Sequence, residues 1–479
     1  MYRIGSRIIT NTRPQQWGYL NYTTKNNTTT TATKQLMNDE THVLQHIKPQ
    51  LNFDYIKDNC QQIQDNAKKR NSSVDVHNIV DLYQQYRVVK KETDTLRAKR
   101  NIVAANMKGV AKGDTKERNR LIEEGKFIKE QVNICENRFE KLHNQLYSEA
   151  LKIPNNTHPD VPIGPESNAR VLEMSGEKPT HLQEFAFKDH LELGESLGVI
   201  KSAAQTTGHK FYYLTREGAM LEMALSFWAF SKMTNQHNFI PVITPDLVHP
   251  SLAEACGFQP RSEATQLFWI KDQDLCLTAT SEIPLAGMYS NSQIKGSELP
   301  IKMVGYSHCF RAETGHGVHN KGIYRVHQFS KVEMFVVSTP EQSDEILDSL
   351  LKIQIEMFKE LGLHFRVLDM PSEDLGAPAY RKYDIEVWIP SRNDYGEISS
   401  ASNCTDYQSR RLNMKYTATN GGPSAFVHTL NGTACAIPRL ILAILENNQQ
   451  PDGSVLIPKV LQPFMGNKER ILPLNGSSK

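Results

Sequence analysis

Tyr324-Arg-Val-His-Gln-Phe-Ser-Lys-Val-Glu-Met-Phe335 is the stretch on which the reading of this chain turns. Its β-branched and aromatic residues mark a strand continuing to Val337. Just upstream, Ile301 to Arg311 reads as a second strand ending in Cys309-Phe-Arg-Ala-Glu313, and a Gly- and His-bearing loop joins the two. Asn238-Phe-Ile-Pro-Val-Ile-Thr-Pro245 and Leu363 to Asp369 also read as strands, while Glu217 to Met233, Glu341 to Leu361 and Pro438 to Asn447 read as helices. No GxGxxG or Walker motif interrupts them, which argues against a Rossmann nucleotide site or a P-loop. Strands with unevenly spaced helices predict an antiparallel α+β domain, with six to eight strands flanked by helices.

Upstream the pattern changes period. Ile79, Leu82, Tyr86, Val89, Leu96, Val103 and Met107 alternate steps of three and four, with Thr93 and Arg100 at the remaining seam positions. A second seam runs through Leu121, Ile128, Val132, Cys135, Phe139, Leu142 and Leu146, and Gly109 and Gly113 lie between the two. Two such seams around a Gly-bearing turn predict an antiparallel helical hairpin, a coiled-coil arm reaching roughly 45 Å. Its tip is basic: Arg97, Lys99, Arg100, Lys108, Lys112, Lys116, Arg118 and Arg120 face only Asp114 and Glu117. One sign of charge gathered at a tip favours a polyanion, although solvated charged faces are common on coiled coils. With no aromatic among these cations, the expected contacts are to phosphate and sugar.

The first 38 residues carry Arg3, Arg7, Arg13, Lys25 and Lys34, many hydroxyl side chains and no acid before Asp39, the composition of an organellar transit peptide. No run of 18 apolar residues occurs, so no membrane span is expected. The seven cysteines form no CxxC pair and no Cys/His ligand spacing, so structural zinc is not expected. The formal charge of +2 says little by itself. These signals divide the chain into a presequence (1–38), a helical arm (39–152), a Pro/Asn/Gly-bearing linker (153–165), an α+β domain (166–466) and a tail without assigned role (467–479).

Three segments act as one another's context: Pro241 to Pro245 after a long helix, Phe310-Arg-Ala-Glu313 with the strand after it, and Asn431-Gly-Thr-Ala-Cys-Ala-Ile-Pro-Arg-Leu440 running into a helix. In that order they resemble motifs 1, 2 and 3 of class II aminoacyl-tRNA synthetases. Thr280-Ser-Glu282, His327-Gln-Phe-Ser-Lys-Val-Glu333 and Glu397-Ile-Ser-Ser-Ala-Ser-Asn-Cys-Thr-Asp-Tyr-Gln-Ser-Arg-Arg411 narrow the resemblance to seryl-tRNA synthetases, in their mitochondrial branch. It extends from the arm to Asp452-Gly-Ser-Val-Leu-Ile-Pro458.

The resemblance implies a serine–tRNA ligase of the mitochondrial matrix. It would use ATP and Mg²⁺ to make seryl-adenylate and load serine tRNA, as a homodimer joined near Pro245 and without membrane attachment. Arg311, Glu313 and Arg439 would carry catalysis. Arg311 would clamp the α-phosphate to the serine carboxylate, since a planar guanidinium donates to two anionic oxygens at once. Glu313, Val326 and Phe329 would hold the adenine end, Arg439 the γ-phosphate, and Glu397 with Ser400 the magnesium and ATP. Thr280, Ser281, Glu282, Arg311, Glu333, Asn431 and Thr433 would bind serine, whose hydroxyl a polar pocket reads sharply enough to need no editing domain. Arg97, Arg100, Lys108, Lys112, Lys116 and Arg120 would contact tRNA. His316 and His319 would belong to a loop at the acceptor end. The competing reading is a catalytically silent paralogue that binds RNA or protein. Such a chain is expected to have lost one of Arg311, Glu313, Glu333, Glu397, Thr433 or Arg439, and all six are present.

Overall fold

The computed structural model describes residues 49–111, 113–258, 266–313, 321–418 and 421–474. The presequence, Lys112 and most of the loop carrying His316 and His319 lie outside them.

Two short helices, α1 (Phe53–Asp58) and α2 (Cys60–Lys69), precede the arm. The arm itself is α3 (Val76–Gly109) and α4 (Thr115–Ala150), 34 and 36 residues long. At 1.5 Å per residue each spans roughly 50 Å. Asp75 and Asp114 cap them, each accepting a backbone N–H from three residues on. Of the seam, Ile79, Leu82, Val89, Thr93, Val103, Leu121, Ile128, Val132, Cys135 and Leu146 are buried, whereas Arg100 swings out to solvent. A guanidinium has no partner inside a two-helix seam, so solvation wins.

The arm is fixed to the body by a polar joint. Arg70, at the end of α2, is buried and donates to the carbonyls of Asn155 (2.9 Å), Asn156 (3.1 Å) and Ala379 (2.8 Å), and also to that of Gly376. Asn155 reaches into the body through Pro378 O, Cys404 O and Thr405 Oγ1.

The body is an eight-stranded sheet, β1 (Arg170–Ser175), β2 (Ile240–Ile243), β3 (Ile301–Phe310), β4 (Gln328–Ser338), β5 (Phe365–Asp369), β6 (Arg381–Ile389), β7 (Asp394–Asn403) and β8 (His428–Ala436). The order across it is β1-β5-β6-β7-β8-β4-β3-β2. Every pairing is antiparallel except β2 with β3, so the expected antiparallel sheet carries one parallel edge. Three helices, α5 (Glu217–His237), α6 (Ser343–Glu360) and α7 (Ile437–Asn447), pack against one face and form the main core with Val332, Met334, Val336, Leu430 and Ala401. Strand alternation turns the neighbours of those residues, Phe329, Lys331, Glu333, Asn431, Thr433, Ser400 and Ser402, to the other face. That face holds the site.

The C-terminal segment, given no role from sequence, is tied in as far as it is described. Arg470–Ile471 pairs with Val455–Leu456, and Leu474 N donates to Ser196 O at 3.0 Å.

Candidate active site

The cavity over β4, β7 and β8 is lined by Phe258 and by residues from five further segments. Thr280 and Glu282 come from a loop and its one-turn helix, Arg311 and Glu313 from the end of β3, and Phe329, Lys331 and Glu333 from β4. Glu397 and Ser400 come from β7, and Asn431, Thr433 and Arg439 from β8 and the start of α7. Val326 completes the expected set. Ser281 stands apart from it. Its buried hydroxyl has no partner among the described residues and sits on the far side of the loop, where a Cβ added at Gly305 would meet it at 3.1 Å. The glycine lets this loop lie flat on β3, directly across from Glu333.

The deep end is built from acids. Thr433 Oγ1 donates to Glu333 Oε2 at 3.0 Å, and the two residues face each other in the β8–β4 register. Lys331 Nζ lies 2.5 Å from the same oxygen. Glu282 accepts from Gln408 Nε2 at 2.6 Å. Burial first, then the nearby Glu333, push the Glu282 carboxyl up to about 7, while Gln408, Lys331 and Asn431 pull the other way. Behind the wall, Gln354 of α6 donates to Ser400 O (2.8 Å) and Thr433 O (3.0 Å) where bulges open the β7 and β8 ladders.

The outer end is built from guanidinium groups. Arg439 donates to Glu397 O (2.8 Å) and Tyr324 O (3.2 Å) and pairs with Glu397 Oε2 (3.1 Å). Burial alone would raise the Glu397 carboxyl, but Arg439 and then Lys382 hold it below the usual range. Arg439 and Arg392 each lie over the Tyr324 ring, at 4.6 and 3.9 Å from its centroid. Arg311 lies 5.4 Å over Phe329 and makes one weak bond, 3.4 Å to Ala279 O. Glu313 pairs with Arg325 at 2.9 Å.

Sequence reasoning left Lys331, Tyr324, Arg325, Arg392, Gln354 and Gln408 without roles. For Lys331 a signal was available, because it lies midway between Phe329 and Glu333 on one face of a strand. Asp384 was also missed. Burial pushes its carboxyl up to about 7 despite Lys382 at 3.1 Å, and its register partner is Ser400.

On the arm, Arg97 pairs with Glu136 at 2.9 Å, and Arg120 with Glu117 at 2.6 Å and Glu124 at 3.3 Å. Arg100, Lys108 and Lys116 are exposed and make no ion pair among the described residues.

A fold and a cavity of this kind define a class of protein, and residues 268–448 match that class's model, the tRNA synthetase class II core domain (G, H, P, S and T). Residues 51–157 match the seryl-tRNA synthetase N-terminal domain. The chain is 43% identical over 413 residues to the mitochondrial serine–tRNA ligase of Mus musculus, covering 83% of this chain and 79% of the mouse protein. It is 43% identical over 425 residues to the serine–tRNA ligase of Rubrobacter xylanophilus, covering 87% and 98% of the two chains. The crystal structure of seryl-tRNA synthetase from Pyrococcus horikoshii complexed with ATP superposes with a TM-score of 0.77 at 34% identity, over 89% of this chain and 100% of that one. The chain belongs to the seryl-tRNA synthetase family.

Proposed function

We propose that this enzyme activates L-serine with ATP to seryl-adenylate and transfers the seryl group to the 3′ end of mitochondrial serine tRNA. The observation that carries the reading is one cavity with paired acids at its deep end and guanidinium groups at its mouth. Serine fits that polarity, with its ammonium toward Glu282 and Glu333 and its carboxylate toward Arg311.

In activation a serine carboxylate oxygen bonds to the α-phosphorus, and the bond from that phosphorus to pyrophosphate breaks. Two anions must meet, so Arg311 between them offsets their repulsion where charge builds up. Phe329 offers a ring face to adenine and Glu313 an acceptor for its amino group. Arg439, pinned by Glu397 and Tyr324 O, holds the departing end. One Glu397 oxygen faces Arg439; the other, with the Ser400 hydroxyl, gives the sparse all-oxygen donor set that suits Mg²⁺, an ion that keeps waters and phosphate oxygens. When bound, Mg²⁺ neutralises phosphate charge. Thr433, donating to Glu333, orients that carboxylate for the ammonium and the serine hydroxyl. Alanine leaves these buried groups unpaired.

The test is serine-dependent ATP–pyrophosphate exchange on protein lacking residues 1–38, with alanine, threonine and glycine as controls. Exchange with serine alone is expected. A folded sample with no exchange would favour the silent RNA- or protein-binding module.

The enzyme acts as a homodimer in the mitochondrial matrix. Support for the compartment comes from the acid-free presequence and the mouse relative's name. Support for the dimer comes from exposed apolar side chains: Met220, Met223 and Phe227 of α5, and Ile240 and Ile243 (75% exposed) of the edge strand β2. Phe227→Glu is expected to convert dimer to monomer by light scattering at micromolar concentration; an unchanged mass places the interface elsewhere.

The arm holds tRNA by phosphate contacts. Replacing Lys108, Lys112 and Lys116 by Ala should raise the KM for tRNA about tenfold and flatten its salt dependence by about two to three charges. Exchange without tRNA should stay within about twofold, and equal loss of both activities would indicate a damaged fold.

A further inference from the structure

We propose that Lys331 is a built-in countercharge of the serine pocket, a positioning residue that holds one oxygen of Glu333 and matches the pocket to a single ammonium. This rests on the reading of the deep end as the serine site. Lys331 and Glu333 are two residues apart on β4, so both project into the cavity. Their side chains are 7% and 4% exposed, too deep for solvent to offset either charge. The ammonium lies 2.5 Å from Glu333 Oε2, on the oxygen that also accepts from Thr433. Among the described residues no hydrogen bond or ion pair reaches the other Glu333 oxygen.

Charge counting gives the consequence. Glu282 and Glu333 together, when ionised, carry two negative charges, and Lys331 cancels one. What remains is one unit, the charge of one ammonium. Without Lys331 the same two carboxyls would sit together with no cation between them, and like charges so placed suppress each other's ionisation.

The groups facing Glu282 are Glu333 and Lys331 from β4, the thiols of Cys256 and Cys404, and neutral Gln408 and Asn431. Cys309 of β3 faces Lys331 and Arg311. Burial raises all three thiols above their ordinary value, so they do not titrate between pH 6 and 8.5. Glu282, pushed up to about 7, does. In the unaltered enzyme the KM for serine therefore rises as pH falls through about 7, because ammonium binding needs the ionised form.

The experiment measures KM for serine and for ATP by pyrophosphate exchange from pH 6 to 8.5, in the enzyme and in Lys331→Met, Lys331→Gln and Lys331→Arg. The expected result is a midpoint of the serine profile moved up by at least about one pH unit in Met and Gln, a serine KM raised at least about tenfold at pH 7.5, and an ATP KM within about threefold. Lys331→Arg keeps the unaltered midpoint. Gln retains a hydrogen-bond donor without charge, so it answers the question even if the Met variant does not fold. A midpoint unmoved in a folded Met or Gln variant overturns the proposal. An unaltered enzyme with no serine-dependent exchange overturns instead the reading of the pocket on which it rests.

Discussion

Arg311→Ala is expected to lower serine-dependent pyrophosphate exchange by about 10³-fold, mostly in kcat, and to leave the melting temperature within about 2 °C. The magnitude is that of removing one positioned donor from a site where charge develops. The small structural cost follows from what Arg311 touches. Its backbone is locked, with N donating to His327 O at 2.9 Å and O contacting His327 Nδ1 at 2.8 Å. Its guanidinium has one 3.4 Å bond and no carboxylate partner among the described residues, so truncation removes only a weak donor from the Ala279 carbonyl. Arg311→Lys keeps the charge but not the fork, and should recover at most about a tenth of the rate. Exchange kinetics and a thermal melt decide it: Arg311→Ala retaining more than a tenth of the activity would remove the clamp from the mechanism.

The second large effect separates the two activities. Arg70→Ala is expected to destabilise the joint by about 3–5 kcal/mol, since four carbonyls lose a buried charged donor at once. Burial lowers the Arg70 guanidinium to about 10, still protonated at neutral pH, so the bonds lost are charge-assisted. The sheet and its three helices do not depend on these bonds, and pyrophosphate exchange should keep at least half its rate. Transfer to tRNA should fall more than tenfold, and residues 153–165 should become a protease site. Parallel loss of both reactions would show that the joint stabilises the body as well. Unchanged transfer would show that the arm needs no fixed angle.

What the sequence made legible follows from which residues keep a period. Val89, Val103, Ile128 and Val132 repeat along the arm and all are buried, because a two-helix seam must be apolar at those positions. β3 and β4 were legible because one side of each is aliphatic against the helices. β6 and β7 were not. Lys382, Asp384 and Glu386 on one and Ser400 and Ser402 on the other break the apolar pattern, because the strands turn those residues toward the polar side of the sheet. The edge strand β1 was missed because Val171, Leu172 and Met174 are all exposed and no alternation develops. The candidate site was readable where family motifs quote it, at Arg311, Glu333, Glu397 and Arg439. Its supports were not: Gln408 reaches Glu282 across 126 residues, and Gln354 reaches Thr433 across 79. Contacts of that range leave no local spacing to read.

The seam of α3 and α4 makes the arm a ruler with coarse graduations. Seven residues added to each helix would move the tip outward by about 10 Å and leave every seam residue in register. Three or four added to each would move it by about 5 Å and also shift the supercoil, turning Lys108 and Lys116 to a new azimuth. Reach and aim cannot be adjusted independently by small insertions. A change in the dimensions of the bound RNA is met in one of two ways, by a whole heptad in both helices or by a new angle at Arg70 and Asn155.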